Sequence, residues 1–198
     1  MFNLKYAKPT ISYCEDNPQW TNTLSNLAYF ISACLIYNFK HENSKKIARA
    51  LFLVFVGSTF LHAADNSLGQ FFDEIYMVNL LNVVIKNLTN DYFLKTIYPE
   101  LNMVLFLAYF HFKIYNIFLI IFTIQVLTSL TLLSYGVYYR PNNLKDFYKV
   151  ISLLTIGTIS WLYEQNYCQK GSPVYLLHSL WHITSAFSVY YASKIIKN

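Results

Sequence analysis

Five residues of this chain have types and spacings suited to metal-assisted hydrolysis: Ser58, His62, Asp73, His178 and His182. Positions i and i+4 of a helix lie on one face, so Ser58 and His62 share a face, as do His178 and His182. Two imidazoles so placed can grip one metal ion. His62 would complete the three protein ligands of a catalytic zinc and leave one position open to water. Zinc lowers the pKa of water from about 15.7 to about 7. Asp73 would take up the proton released and later return it, and Ser58 would donate a hydrogen bond to an oxyanion. Spacing alone leaves a second reading open, in which the paired histidines are packed or hydrogen-bonded between helices. His41 and His111 have no partner at ligand spacing and receive no role.

The elements that must position these groups follow from composition. Apolar residues make up 55% of the 198 and charged residues 13%, against roughly 45–50% and about 25% in soluble domains. Windows 22–39, 47–64, 68–85, 98–112, 114–135, 145–163 and 173–193 read as membrane helices. The expected fold is an all-α integral membrane protein, one seven-helix bundle over residues 1–198. The fourth window is short for a hydrocarbon layer about 30 Å thick, and a six-span bundle with 98–112 re-entrant is the alternative.

Orientation follows from the basic residues. Lys40, Lys45, Lys46, Arg49, Lys86, Lys95, Arg140, Lys145, Lys149, Lys194 and Lys197 fall on one side, and only Lys5, Lys8, Lys113 and Lys170 on the other. The positive-inside rule then puts the N-terminus outside or lumenal and the C-terminus in the cytosol. The net charge of +5 is thereby read as orientation and not as nucleic-acid binding. Residues 1–20 lack an apolar core, so the first helix is expected to direct insertion. On this topology the five residues converge near the outer face, toward the ER or Golgi lumen in a eukaryote or the periplasmic side of a bacterial inner membrane. An aspartate inside a membrane faces the bundle interior, so Asp73 belongs to a functional site or a polar pair.

Cys14 and Cys168 both fall on the outer side, where disulfides persist. They are expected to pair, two free thiols being the alternative. Cys34 lies mid-span and is expected to be a packed, inert thiol. No CxxC pair supports a thiolate zinc site. No GxxxG pair is present, and a monomer is expected. The 18 tyrosines and 16 phenylalanines suit interfacial anchoring and the lining of an acyl-chain cavity.

At these residues the sequence resembles the alkaline ceramidase family, within the superfamily that also holds the adiponectin and progestin receptors. Tyr13-Cys14-Glu15-Asp16-Asn17 and Trp20-Thr21-Asn22-Thr23-Leu24-Ser25-Asn26-Leu27 are similar to D-W-C-E-P-N-Y and A-E-F-W-N-T-x-S-N-L. Gly57-Ser58-Thr59-Phe60-Leu61-His62 and Gln70-Phe71-Phe72-Asp73-Glu74-Ile75-Tyr76-Met77 resemble G-S-x-x-F-H and Q-x-x-D-E-x-P-M. Trp161, Glu164 and Cys168 resemble W-x-x-D-x-x-x-C, and His178-Ser179-Leu180-Trp181-His182 the closing H-x-x-W-H.

The resemblance implies zinc on His62, His178 and His182, Asp73 as general acid and base, Ser58 as carbonyl or oxyanion partner, and hydrolysis of a ceramide-like N-acyl lipid in the membrane. It also implies the Cys14–Cys168 disulfide. The family's calcium site transfers only in part. Glu15 and Asn17 match, Tyr13 would offer its carbonyl, and Gln19 and Ser12 stand where the family has carboxylates. Calcium takes six to eight oxygens and gains affinity from ligand charge, so weak binding or none is expected. Glu164 replaces the family's aspartate with a carboxylate one methylene longer. A zinc-containing receptor or sensor of the adiponectin-receptor kind is the alternative function, and no paired broken helices or internal repeat point to a transporter.

Overall fold

All regular structure among the described residues is helical, in a computed structural model that describes residues 9–10, 13–112, 114–168 and 172–197. Side chains 115 and 116 are not described, and Lys5, Lys8, Ser12, Lys113 and Lys170, used above, lie outside the described residues. The helices are α1 (Trp20–Ser25), α2 (Leu27–Tyr37), α3 (Glu42–Ala64), α4 (Ser67–Leu88), α5 (Tyr98–Phe112), α6 (Tyr115–Tyr139), α7 (Leu144–Tyr167) and α8 (Leu176–Lys197). Asn26 keeps right-handed helical angles between α1 and α2, so the two run on as one and the described residues make seven successive α-helices. The fourth apolar window is α5, 15 residues long and preceded by a π-turn at Phe93–Ile97.

Two stretches among the described residues, Glu42–Ala64 and Ile117–Tyr139, are long and apolar enough to cross a bilayer, which suggests membrane association. The distribution of side chains has the same sense. Phe30, Phe52, Ile120, Leu127 and Ile159 are exposed, whereas Asn22, Gln70, Glu74, Asn82, Gln125 and Glu164 are buried. Asn82 Oδ1 accepts from Asn102 Nδ2 at 3.1 Å and from Gln125 Nε2 at 2.8 Å. These amides tie α4, α5 and α6 together.

Cys34 departs from expectation. It is exposed, because α2 buries the stripe Ala28, Tyr29, Ser32, Ala33 and Ile36, and position 34 falls on the opposite face.

The α3–α4 hairpin is the element that matters most for the site. Asp65 ends α3 in the left-handed region at φ 43°, a conformation that Asp tolerates better than most residues. Asn66 then caps α4, its Oδ1 accepting from Gly69 N at 2.8 Å. Two glycines let the helices touch. A Cβ on Gly57 would lie 2.7 Å from the Phe72 carbonyl oxygen, and one on Gly69 would lie 2.6 Å from Leu61 Cα. Gly57→Ala therefore pushes backbone against backbone, at a cost of about 1–3 kcal/mol. At roughly 2–4 °C per kcal/mol for a chain of this size, a fall in Tm of about 2–12 °C is expected by thermal melting in detergent. A Tm unchanged from wild type would refute the close contact.

Candidate functional site

His62 sits in the last turn of α3, and His178 and His182 share one face of α8 in its first two turns. All three are buried, and one ring nitrogen from each lies within 4.8 Å of the others. Residues 116 and 120 positions apart in sequence thus meet where the end of α3 crosses the start of α8.

Hydrogen bonding decides which nitrogens face inward. Gln19 Nε2 donates to Asn17 Oδ1 at 3.4 Å and Asp65 Oδ1 at 3.3 Å. Its Oε1 is therefore turned to His62 Nδ1, at 2.7 Å. That oxygen only accepts, so His62 carries its proton on Nδ1 and a lone pair on Nε2. Glu164 Oε2 lies 3.0 Å from His178 Nδ1, and the same logic holds. Ser25 gives its single hydroxyl proton to the Asn22 carbonyl at 2.9 Å. Its oxygen, 2.8 Å from His182 Nδ1, is left to accept.

Each Nδ1 is thus engaged by an outer partner and each Nε2 presents a lone pair. His62 Nε2 and His178 Nε2 lie 3.2 Å apart. Two lone pairs at that distance repel unless a cation lies among them. The triad is therefore able to hold a metal ion, and three neutral imidazoles held by outer partners are a donor set that zinc accepts. Loss of such an outer partner typically costs 10–100-fold in metal affinity. Glu164→Gln is expected to weaken binding by about that factor in a chelator competition, and Glu164→Asp by less. Equal affinity in all three proteins would remove Glu164 from the site.

The loop before α1 closes over the triad. The Tyr13 ring meets those of His62 and His178 edge-on, both at 4.8 Å between centroids. Cys14 is bonded to Cys168 at the end of α7, with Cα atoms 5.3 Å apart. Cys14 N donates to Glu164 Oε1 at 3.1 Å, so one carboxylate fixes both the loop and a histidine.

The residues named for calcium have other commitments. Both Glu15 oxygens accept from the start of α1, from Thr21 N at 2.6 Å and Asn22 N at 2.8 Å. Asn17 Nδ2 donates to Asp65 Oδ2 at 2.6 Å, and the Gln19 oxygen faces His62. Among the described residues, these Glu15, Asn17 and Gln19 groups are therefore turned to protein partners.

Ser58 is buried one turn before His62, and its hydroxyl hydrogen-bonds the Asp73 carboxylate across the α3–α4 contact. Ser58, Asp73, His178 and His182 line a cavity of about 40 Å³ together with Tyr29 and Glu74. Glu74 is a carboxylate to which the sequence assigned no role. It accepts from Gln70 Nε2 at 2.8 Å and Tyr109 OH at 2.7 Å. Tyr29, Met77, Phe122 and Trp181 also wall a second, apolar cavity of about 80 Å³. Along α8 the second cavity reaches from Trp181 to Ala192, a helical rise of roughly 16 Å.

Two outer partners of the histidines, Gln19 and Ser25, carry no sequence signal that ties them to an imidazole. Their contacts span 43 and 157 residues, which no local period encodes. Glu164 alone gave a signal, through its place in the Trp161–Cys168 motif.

The described residues, helical throughout their regular structure, thus gather three histidines that could hold a metal ion beside a serine–aspartate pair, with an apolar cavity adjoining. The ceramidase family model matches residues 6–197, and the chain belongs to that family. Membership implies a hydrolase with a ceramide-like lipid substrate. No curated protein matches the chain.

Proposed function

We propose that this protein is a zinc-dependent amidase of the membrane that cleaves the amide bond of ceramide or a related N-acyl lipid. Residues 1–198 form one seven-span domain, the N-terminus outside or lumenal, with the site toward the lumenal or periplasmic side of an ER, Golgi or bacterial inner membrane. The observation that carries the reading is the set of three inward Nε2 lone pairs beside the Ser58–Asp73 pair. The apolar exterior supports the membrane placement.

His62, His178 and His182 would hold zinc, which supplies a Lewis acid and makes water a nucleophile near neutral pH. The part of the acyl chain next to the amide would enter the apolar cavity between α4, α6 and α8, with the carbonyl toward the smaller polar one. Asp73 accepts the proton that water gives up as its oxygen joins the carbonyl carbon. Ser58, released from Asp73 as that group protonates, turns its hydroxyl to the oxyanion. Asp73 then delivers the proton to the nitrogen as the C–N bond breaks. The products are a fatty acid and a long-chain amine base. Tyr13 and the disulfide-held loop keep bulk water from His62 and His178.

The test is fatty-acid release, followed by mass spectrometry, from a panel of ceramides differing in acyl length. Release by untreated protein that stops with a chelator and returns with zinc is the expected result. No release from any N-acyl lipid by protein that holds zinc would overturn the amidase reading in favour of a receptor-like role.

A further inference from the structure

The end of the molecule opposite the histidines carries a third, basic pocket. Asn43 and Lys46 from α3, Val83, Lys86, Asn87 and Leu88 from α4, and Thr89, Asn90 and Lys95 from the connection to α5 surround about 330 Å³. Three lysines and several residues with amide or hydroxyl side chains line one space, with no carboxylate among its lining residues. The nearest acids in sequence are already engaged. Glu42 is paired with Lys45 at 2.7 Å, and Asp91 Oδ1 accepts from Leu94 N at 2.9 Å. None of the three lysines makes an ion pair among the described residues.

The volume lies at the lower end of the range for small-ligand sites, roughly 300–1,000 Å³, which suits a phosphorylated headgroup better than a bare ion. Lysine recognises phosphate as a point charge, and a phosphomonoester brings about −1.5 to −2 charges and three acceptor oxygens. Beside the pocket, Tyr92, Phe93 and Ile97 are exposed. Aromatic side chains of this kind seat at the level of lipid headgroups. The pocket also lies on the side that collects most of the lysines and arginines, where anionic lipids are enriched in the cytoplasmic leaflet.

We infer that Lys46, Lys86 and Lys95, with Asn43, Asn87 and Asn90, form a binding site for a phosphomonoester, presented by an anionic lipid headgroup at the cytosolic surface. This inference rests on the membrane topology proposed above and is independent of amide hydrolysis.

The experiment reconstitutes the full chain in nanodiscs of phosphatidylcholine, with and without phosphatidic acid, and counts retained lipid by native mass spectrometry. Wild-type protein is expected to retain phosphatidic acid. The variant K46Q/K86Q/K95Q is expected to retain it at least about tenfold less well. The control K40Q/R140Q/K145Q removes equal charge from the same predicted side outside the pocket and is expected to match wild type. Equal loss in both triple variants would overturn the site, reducing it to general surface attraction.

Inorganic phosphate, titrated into discs of phosphatidylcholine alone, separates the sources. Lysine-dependent phosphate binding without retention of phosphatidic acid would move the ligand from lipid to a soluble phosphate ester, overturning the lipid assignment while keeping the phosphate one. Binding of neither probe would overturn both. Lys86→Glu alone, at an exposed position, should weaken retention with an unchanged Tm, which guards against misfolding of the triple variant. Amide release by K46Q/K86Q/K95Q in phosphatidylcholine is expected at the wild-type rate, so failure of the pocket and failure of the amidase reading are read separately.

Discussion

Replacing His182 by alanine is expected to reduce amide hydrolysis by about 10³-fold or more and to leave purified protein with far less than one metal per chain. In the proposed site the three histidines would share one ion, one ring nitrogen of each lying within 4.8 Å of the others, and two imidazoles alone fall short of the three protein ligands of a catalytic zinc. Lewis-acid stabilisation amounts to several kcal/mol, and each 1.36 kcal/mol is about tenfold in rate. Metal content by mass spectrometry and fatty-acid release should fall together. Ser25→Ala removes only the outer partner of His182, so a smaller loss of metal affinity, about 10–100-fold, is expected there. Wild-type activity in His182→Ala would sink the metal-dependent mechanism.

Asp73→Asn should behave differently. It leaves the three imidazoles untouched and removes the group proposed to accept and return the proton. Metal content is expected to stay at the wild-type level while kcat falls about 10²–10⁴-fold, the usual range for a lost general acid or base. Ser58→Ala removes the hydrogen-bond donor and is expected to cost about 10²–10³-fold in kcat. Ser58 and Asp73 are hydrogen-bonded to each other and act as a unit, so the double variant should lose little beyond Asp73→Asn alone. Loss of metal in Asp73→Asn would show a structural role in place of proton transfer. Additive losses in the double variant would show that the two side chains act separately.

Much of this molecule can be read along the chain. Runs of apolar residues broken by short polar turns mark the helices, because helical rise and hydrophobic burial are local properties of sequence. The pairing of His178 with His182 is local too, since i and i+4 must share a face. The left-handed Asp65 and the cap at Asn66 are turn chemistry of familiar residue types. The Cys34 expectation failed for a related reason. Hydropathy marks a helix as apolar but does not say which of its residues face neighbouring helices.

What only the tertiary structure decided is the direction of each polar side chain. Gln19 turns its carbonyl oxygen to His62 because its amide is held by Asn17 and Asp65. Ser25 accepts from His182 because its own proton is held by Asn22. Glu164 divides its oxygens between His178 and the Cys14 amide. The sequence by itself determined which groups could meet: seven helices, three imidazoles, one serine and one aspartate. The crossing of α3, α4 and α8, made close by Gly57 and Gly69, decided which nitrogen faces inward. A hydrogen bond depends on ångström-scale placement between helices far apart in sequence, and no periodicity within one helix contains that distance.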